Sequence, residues 1–129
     1  VTFSLAARDP QTGAFGMVIS SSSPAVAARC VHLAPAAGVV ASQNITNPVL
    51  GIRGLELLAQ EVGARDVIDA LVAGEPFPEH RQLAVVDARG DVAAFEGTHT
   101  LGTHAMAFGD GVVAAGNLLA NDGVPAAML

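Results

Sequence analysis

Residues 2–20 read Thr2-Phe3-Ser4-Leu5-Ala6-Ala7-Arg8-Asp9-Pro10-Gln11-Thr12-Gly13-Ala14-Phe15-Gly16-Met17-Val18-Ile19-Ser20. Phe3, Leu5 and Ala7 alternate with Thr2, Ser4 and Ala6, a period of two that predicts a strand from Thr2 to Arg8. Asp9-Pro10-Gln11-Thr12-Gly13 is turn chemistry, with Pro fixing φ at the second turn position and Gly supplying an unusual φ near the end. Ala14 to Ser20 then predicts the returning strand, where Gly16 marks a bulge or a close backbone approach. The chain therefore opens on a hairpin, with the hydroxyl residue Thr2 at its head and the serines Ser20–Ser23 where it closes.

Beyond it, Gly38 to Gln43 is a short apolar strand that ends in the polar run Gln43-Asn44-Ile45-Thr46-Asn47-Pro48. Leu55, Leu58 and Val62 follow helical spacing, and Val67, Ile68, Leu71 and Val72 repeat it after a break at Gly63, which predicts two consecutive helices. Pro76 and Pro78 close them. Gln82–Asp87 and Val92–Phe95 flank Ala88-Arg89-Gly90-Asp91 as a second hairpin, and Met106–Phe108 and Val112–Ala115 flank Gly109-Asp110-Gly111 as a third. Strands, two helices and strands again indicate an α+β fold with helices packed on largely antiparallel sheets. The last residues, Asp122 to Leu129, resemble the first turn of a helix with Pro125 near its start, so the natural chain is expected to continue or a partner to cover this end.

The 129 residues of 12.9 kDa are expected to form one domain over 1–129. Apolar residues are half of the chain, yet Trp and Tyr are absent and there are five Phe, so the interior has to pack small against small. The net charge of −6, with six arginines and no lysine, excludes the phosphate neutralisation on which nucleic-acid binding rests. No apolar run is long enough to span a bilayer and the start lacks the parts of a signal peptide, so no membrane partner and a cytoplasmic location are expected. A lone Cys30 fits a reducing compartment. Gly109-Asp110-Gly111 lacks the spacing of a phosphate loop, and Cys30 and His32, which alternate-residue spacing puts on one strand face, lack the further ligands of a zinc set, so no cofactor and no metal are inferred.

Several residues taken together resemble the DUF1028 family: Thr2-Phe3-Ser4-Leu5 with Ala7-Arg8-Asp9-Pro10 and Thr12-Gly13, then His32 eleven residues before Gln43, and Asn47-Pro48. Gly54-Leu55 with Leu57-Leu58, Arg81-Gln82 ahead of Val85-Val86-Asp87, and Gly116-Asn117 complete the pattern. The resemblance implies an N-terminal-nucleophile-hydrolase-like fold, a layered αββα sandwich, and makes Ser21 the position matching the family's serine. It also carries two departures: family chains are usually longer at the C-terminus and begin Met-Thr, whereas here Val1 precedes Thr2.

In that superfamily the N-terminal hydroxyl attacks an amide carbon while its own free α-amine takes the proton. Thr2 fills both roles only if Val1 is removed; otherwise a water with His32 as base is the alternative. Gln43 and Asn44 are candidates to donate hydrogen bonds to a developing oxyanion. Ser21, Thr46 and Asn47 are candidate substrate contacts, and Arg53 and Arg81 candidate clamps for a substrate carboxylate. His99 and His104 flank a Gly/Thr-rich loop, and one of them is expected to be an ordinary loop residue. The reading that results is a cofactor-free hydrolase of a C–N bond in a small carboxylated metabolite, a deaminase of an enamine or imine or an amidohydrolase, acting as a homo-oligomer on a small anionic substrate. The rival reading is a non-catalytic oligomeric binding or scaffold protein on the same fold.

Overall fold

The structure is a computed structural model that describes residues 1–129. Two antiparallel four-stranded sheets face one another. Sheet A has the order β2-β1-β8-β7, from β1 (Thr2–Arg8), β2 (Phe15–Ser21), β7 (Ala105–Gly109) and β8 (Val112–Asn117). Sheet B has the order β3-β4-β5-β6, from β3 (Val31–Ala34), β4 (Gly38–Asn44), β5 (Arg81–Asp87) and β6 (Val92–Glu96). Four helices complete the fold: α1 (Ala27–Cys30), α2 (Pro48–Ala59), α3 (Ala64–Ala73) and α4 (Val124–Met128).

Between the sheets Ala6 and Val113 of sheet A meet Val39, Ala41, Ala84 and Val86 of sheet B, the small-on-small layer that the composition requires. The other face of sheet B carries Val40, Leu83 and Val85 against α2 and α3. Strands β4 and β5 are thus covered on both sides, which is why their sequences are continuous apolar runs rather than alternations. Helix α3 presents Ala64, Val67, Ile68 and Leu71, spaced three and four apart, to that core. Burying each of the larger side chains contributes on the order of 1.5–3 kcal/mol, an upper range because the unfolded chain is itself partly compact. Helix α4 lies against β1, β7 and β8 on the outer face of sheet A.

The first hairpin forms as expected, with Thr2 opposite Ser21 and Arg8 opposite Phe15. Two readings need correction. Cys30 and His32 do not share a strand face: Cys30 ends helix α1 and the strand starts at Val31, because α1 and β3 fill a segment in which no period was legible. Consequently Gly38–Asn44 is the fourth strand rather than the third.

Helix α3 has no capping side chain of its own at Gly63. The cap comes from β5, where Asp87 Oδ2 accepts the Ala64 N–H at 3.0 Å while Oδ1 accepts the N–H groups of Arg89 and Asp91 at 2.9 and 3.0 Å. Burial pushes the Asp87 carboxyl up, but these backbone donors, with Arg89 beside them, hold it below the usual carboxylate range. One carboxylate therefore fixes both the β5–β6 turn and the start of a helix.

Candidate active site

The strand registers build two polar rows that face each other at one end of the sandwich. In sheet A, Thr2 stands between Ser21 of β2 and Asn117 of β8. His104 immediately precedes β7, whose Ala105 pairs with Gly116, so its position extends the row past Asn117. In sheet B, Gln43, Gln82 and Glu96 stand side by side on β4, β5 and β6. Each row follows from strand periodicity: Ala41, Ala84 and Ala94 face sheet A, so the residues two further towards this end of their strands face it as well.

Hydrogen bonds stitch the rows together. Ser4 donates to Gln43 Oε1 at 2.7 Å, and Gln43 Nε2 donates to Gln82 Oε1 at 2.9 Å. Asn117 Nδ2 donates to the same Gln82 oxygen at 3.0 Å. Gln82 Nε2 donates in turn to Glu96 Oε1 at 2.6 Å and to the Gly116 carbonyl at 2.9 Å. The Glu96 carboxylate accepts only, so it fixes the orientation of every amide behind it. Gln43, Gln82 and Asn117 are all at most 3% exposed, and each has found partners, as buried polar groups must.

The hydroxyl end is ordered in the same way. Ser21 Oγ donates to the Val1 carbonyl at 2.9 Å and accepts the Ser23 N–H at 3.1 Å. Its single proton is thereby used, so in the 2.9 Å contact between the two hydroxyls Thr2 is the donor. The lone pairs of Thr2 Oγ1 are then left free to act. With Val1 attached, however, the Thr2 nitrogen is a peptide nitrogen, and the terminal amine sits on Val1, where it donates to Ser22 Oγ at 3.2 Å. At the far end of the row, His104 Nδ1 lies 2.9 Å from Glu96 Oε2 in a half-exposed pair, approaching too obliquely for a well-formed hydrogen bond.

The structure brings together only some of the residues expected from sequence. Thr2, Ser21 and Gln43 join this end of the sandwich. Asn44 points away from it, with a left-handed φ of 76°, its Nδ2 donating to the His80 carbonyl at 2.7 Å and its Oδ1 accepting the Leu101 N–H at 3.2 Å. Thr46 lies 3.6 Å from the buried Cys30 thiol. Asn47 caps α2 through the Val49 N–H and donates to Glu75 Oε2 at 2.8 Å. Arg81 reaches the same carboxylate at 3.1 Å and donates to the Ile45 carbonyl. Burial works to raise the Glu75 carboxyl, yet Arg81, Asn47 and the Phe77 N–H together hold it low, so this is a closed ion pair rather than an anion clamp.

Arg53 is exposed on α2 beside Gly74. His32 packs its ring on Gly51 of α2, where any Cβ would collide with it, on the helical side of sheet B and away from Thr2. No concavity is lined by Thr2, Ser21, His32, Gln43, Asn44 and Arg53. The largest, about 540 Å³, is formed at the opposite end by the turns around Gly90 and Gly111 with the start of α3. Its arginines are already matched with acids, Arg89 with Asp87 and Asp91 and Arg65 with Asp69.

Ser4, Gln82, Glu96 and Asn117 are participants that reading the sequence missed. The available signal was a polar residue at the end of an otherwise apolar strand, as in Arg81-Gln82-Leu83-Ala84-Val85-Val86 and in Val112-Val113-Ala114-Ala115-Gly116-Asn117. Arg29 is a further one, held to Ser23 Oγ and, at 2.7 Å, to the Pro24 carbonyl, which makes it a cation next to the serine segment.

This fold and polar end can be set beside known proteins. The chain belongs to the DUF1028 family, a family of unknown function, whose model matches residues 2–129. It is similar to the crystal structure of protein SPO2555 from Silicibacter pomeroyi, of the same family, with 30% identity and a TM-score of 0.94 over 98% of this chain and 59% of that one. It thus spans less than two thirds of that protein's length. No curated protein matches. No helix is long and apolar enough to cross a membrane.

Proposed function

We propose that the facing polar rows are the active site of a hydrolase that breaks a C–N bond in a small carboxylated molecule. The observation that carries this reading is the convergence of a hydroxyl pair, an oriented amide array and a carboxylate–imidazole pair at one end of the sandwich. Such a set holds the three elements that acyl and imine hydrolysis need: a nucleophile or water site, donors for developing negative charge and a proton carrier. The helix α4 on the outer face of sheet A, opposite α2 and α3, supports an N-terminal-nucleophile-like αββα layering.

With Val1 in place, the water route is favoured. His104 has Nδ1 turned to Glu96 and can take a proton through Nε2 from a water beside it, while Thr2 Oγ1, two strands away on β1, is free to accept a hydrogen bond from the substrate. Addition to an imine carbon followed by loss of ammonia converts C=NH and H2O into C=O and NH3, with both protons of the water passing to the departing nitrogen. Removal of Val1 would instead give Thr2 a free amine and open the amidase route. Arg29 is the cation closest in sequence and contact to the serines, and it supplies the charge complementary to a substrate carboxylate. Exposed Val18, Phe108 and Leu118 support association into a homo-oligomer.

The test is ammonia release from a panel of enamine, imine and ureido carboxylates, run beside intact-mass measurement of residue 1. Thr2→Ala and His104→Ala should each reduce turnover by about 100-fold or more, the range for a nucleophile or general base. Absence of turnover across the panel, with saturable binding of the same compounds, would favour the non-catalytic binding reading.

A further inference from the structure

Besides His32, packed against α2, the candidate active site leaves two histidines unused. His80 ends the 3₁₀ turn Pro78–His80 just before β5, and His99 lies in the loop that leaves β6. Their rings stand 5.0 Å apart between centroids, tilted by 51°. Glu79 is the third neighbour: its Oε1 is 3.6 Å from His80 Nε2. One carboxylate oxygen and one nitrogen from each ring lie within 4.8 Å of one another.

We propose that Glu79, His80 and His99 form a binding site for a divalent transition-metal ion, zinc being the ion that fits best. Two ligand atoms at ~2.0–2.1 Å from a tetrahedral zinc are separated by about 3.4 Å, close to the Glu79–His80 spacing already present. Two imidazoles and one carboxylate are a donor set for zinc and its neighbours in the first row, whereas magnesium and calcium prefer oxygen alone. Simple ring packing accounts for the contact between the imidazoles. It does not account for the carboxylate brought up beside the rings, which an ion shared by the three groups does.

The backbone holds the two segments together before any ion arrives. The His99 N–H donates to the Glu79 carbonyl at 2.8 Å. Gly97 is where the loop presses on the 3₁₀ turn: a Cβ there would strike the Glu79 and Pro78 backbone, so the approach depends on glycine. His80 is tied from its other side, its carbonyl accepting Asn44 Nδ2 at 2.7 Å. Of the three side chains His99 is the exposed one, the freest to turn as the ligands converge. An ion here would clamp the loop that runs on to His104, although the proposal does not depend on any reaction at the polar rows.

Titration calorimetry of the metal-stripped 129-residue chain with zinc chloride tests it, together with thermal unfolding followed by circular dichroism. One zinc per chain is expected, with a dissociation constant of about 10 µM or tighter and a Tm that rises with zinc. His99→Ala, an exposed loop substitution that leaves the fold intact, should weaken binding at least tenfold and abolish the Tm rise, and Glu79→Gln should weaken it less. His32→Ala should change neither. No zinc binding tighter than about 1 mM, undiminished binding by His99→Ala, or magnesium binding as tightly as zinc would each overturn the assignment. Loss of the site in His32→Ala instead would move it to Cys30 and His32.

Discussion

Replacing Gln82 by leucine keeps almost the same volume at the centre of the polar rows and removes both amide functions at once. Four partners lose a bond: Gln43 Nε2, Asn117 Nδ2, the Gly116 carbonyl and Glu96 Oε1. Glu96 is half-exposed and can turn to water, but the other three sit in buried residues. An unsatisfied buried polar group costs about 1–3 kcal/mol, so three give ~3–9 kcal/mol. The apolar gain of a buried leucine offsets about 1–3 kcal/mol of this. A net loss of about 2–6 kcal/mol is therefore expected, a large share of the ~5–15 kcal/mol of a typical domain. Urea denaturation followed by far-ultraviolet circular dichroism measures it, since a chain without Trp or Tyr offers little intrinsic fluorescence. Gln60→Leu, on the exposed end of α2, is the control and should change stability by less than about 0.5 kcal/mol. A loss below about 1 kcal/mol for Gln82→Leu would refute the reasoning, because it would mean that water already enters between the sheets at this end.

Three further outcomes follow from other parts of the fold. Glu75 and Asp87 both have carboxyl groups held below their ordinary values of 4.5 and 3.8, so their stabilisation is complete above those values and is lost as the pH falls through the lower folded ones. Urea midpoints should accordingly drop on acidification below about pH 4, Glu75→Gln should flatten that drop, and a midpoint that rises with acid would contradict both assignments. Gly51→Ala forces a Cβ into the His32 ring and should cost about 1–3 kcal/mol, most of it recovered in the double variant with His32→Ala; an unchanged Tm would mean that the ring is not packed there. Sedimentation at micromolar concentration should find a species heavier than the 12.9 kDa chain, and a monomer alone would remove the proposed association.

The parts of the fold legible in the sequence are those where one local rule dominates. The first hairpin was readable because period-two alternation and Asp-Pro-x-x-Gly turn chemistry agree, and α2 and α3 because apolar spacing of three and four is broken once, at Gly63. The segment Ala25–Ala34 resisted because a four-residue helix and a four-residue strand are each too short to show a period. Of the polar end, Thr2, Ser21 and Gln43 could be seen because they end segments that already read as strands. Asn44, Asn47 and Arg81 are polar for another reason: they end a strand, cap the start of a helix and complete a buried ion pair, and sequence alone does not separate such work from substrate binding.

What the sequence could not carry is register between strands far apart in the chain. Gln43, Gln82 and Glu96 become neighbours only because β4, β5 and β6 pair with those partners, and Asn117 meets Gln82 only because the two sheets stack. The same pairing limits how the polar end can work. Gln82 is fully engaged, with both amide protons donated and its oxygen accepting twice, so a substrate that draws on it has to exchange an internal hydrogen bond for one of its own, whereas Gln43 and Asn117 each keep one amide proton. Thr2 Oγ1 and His104 Nε2, two strands apart on the sheet A row, are likewise uncommitted. The proposed chemistry is therefore expected to begin at these two groups, with Gln82 acting as the scaffold that holds the row in place.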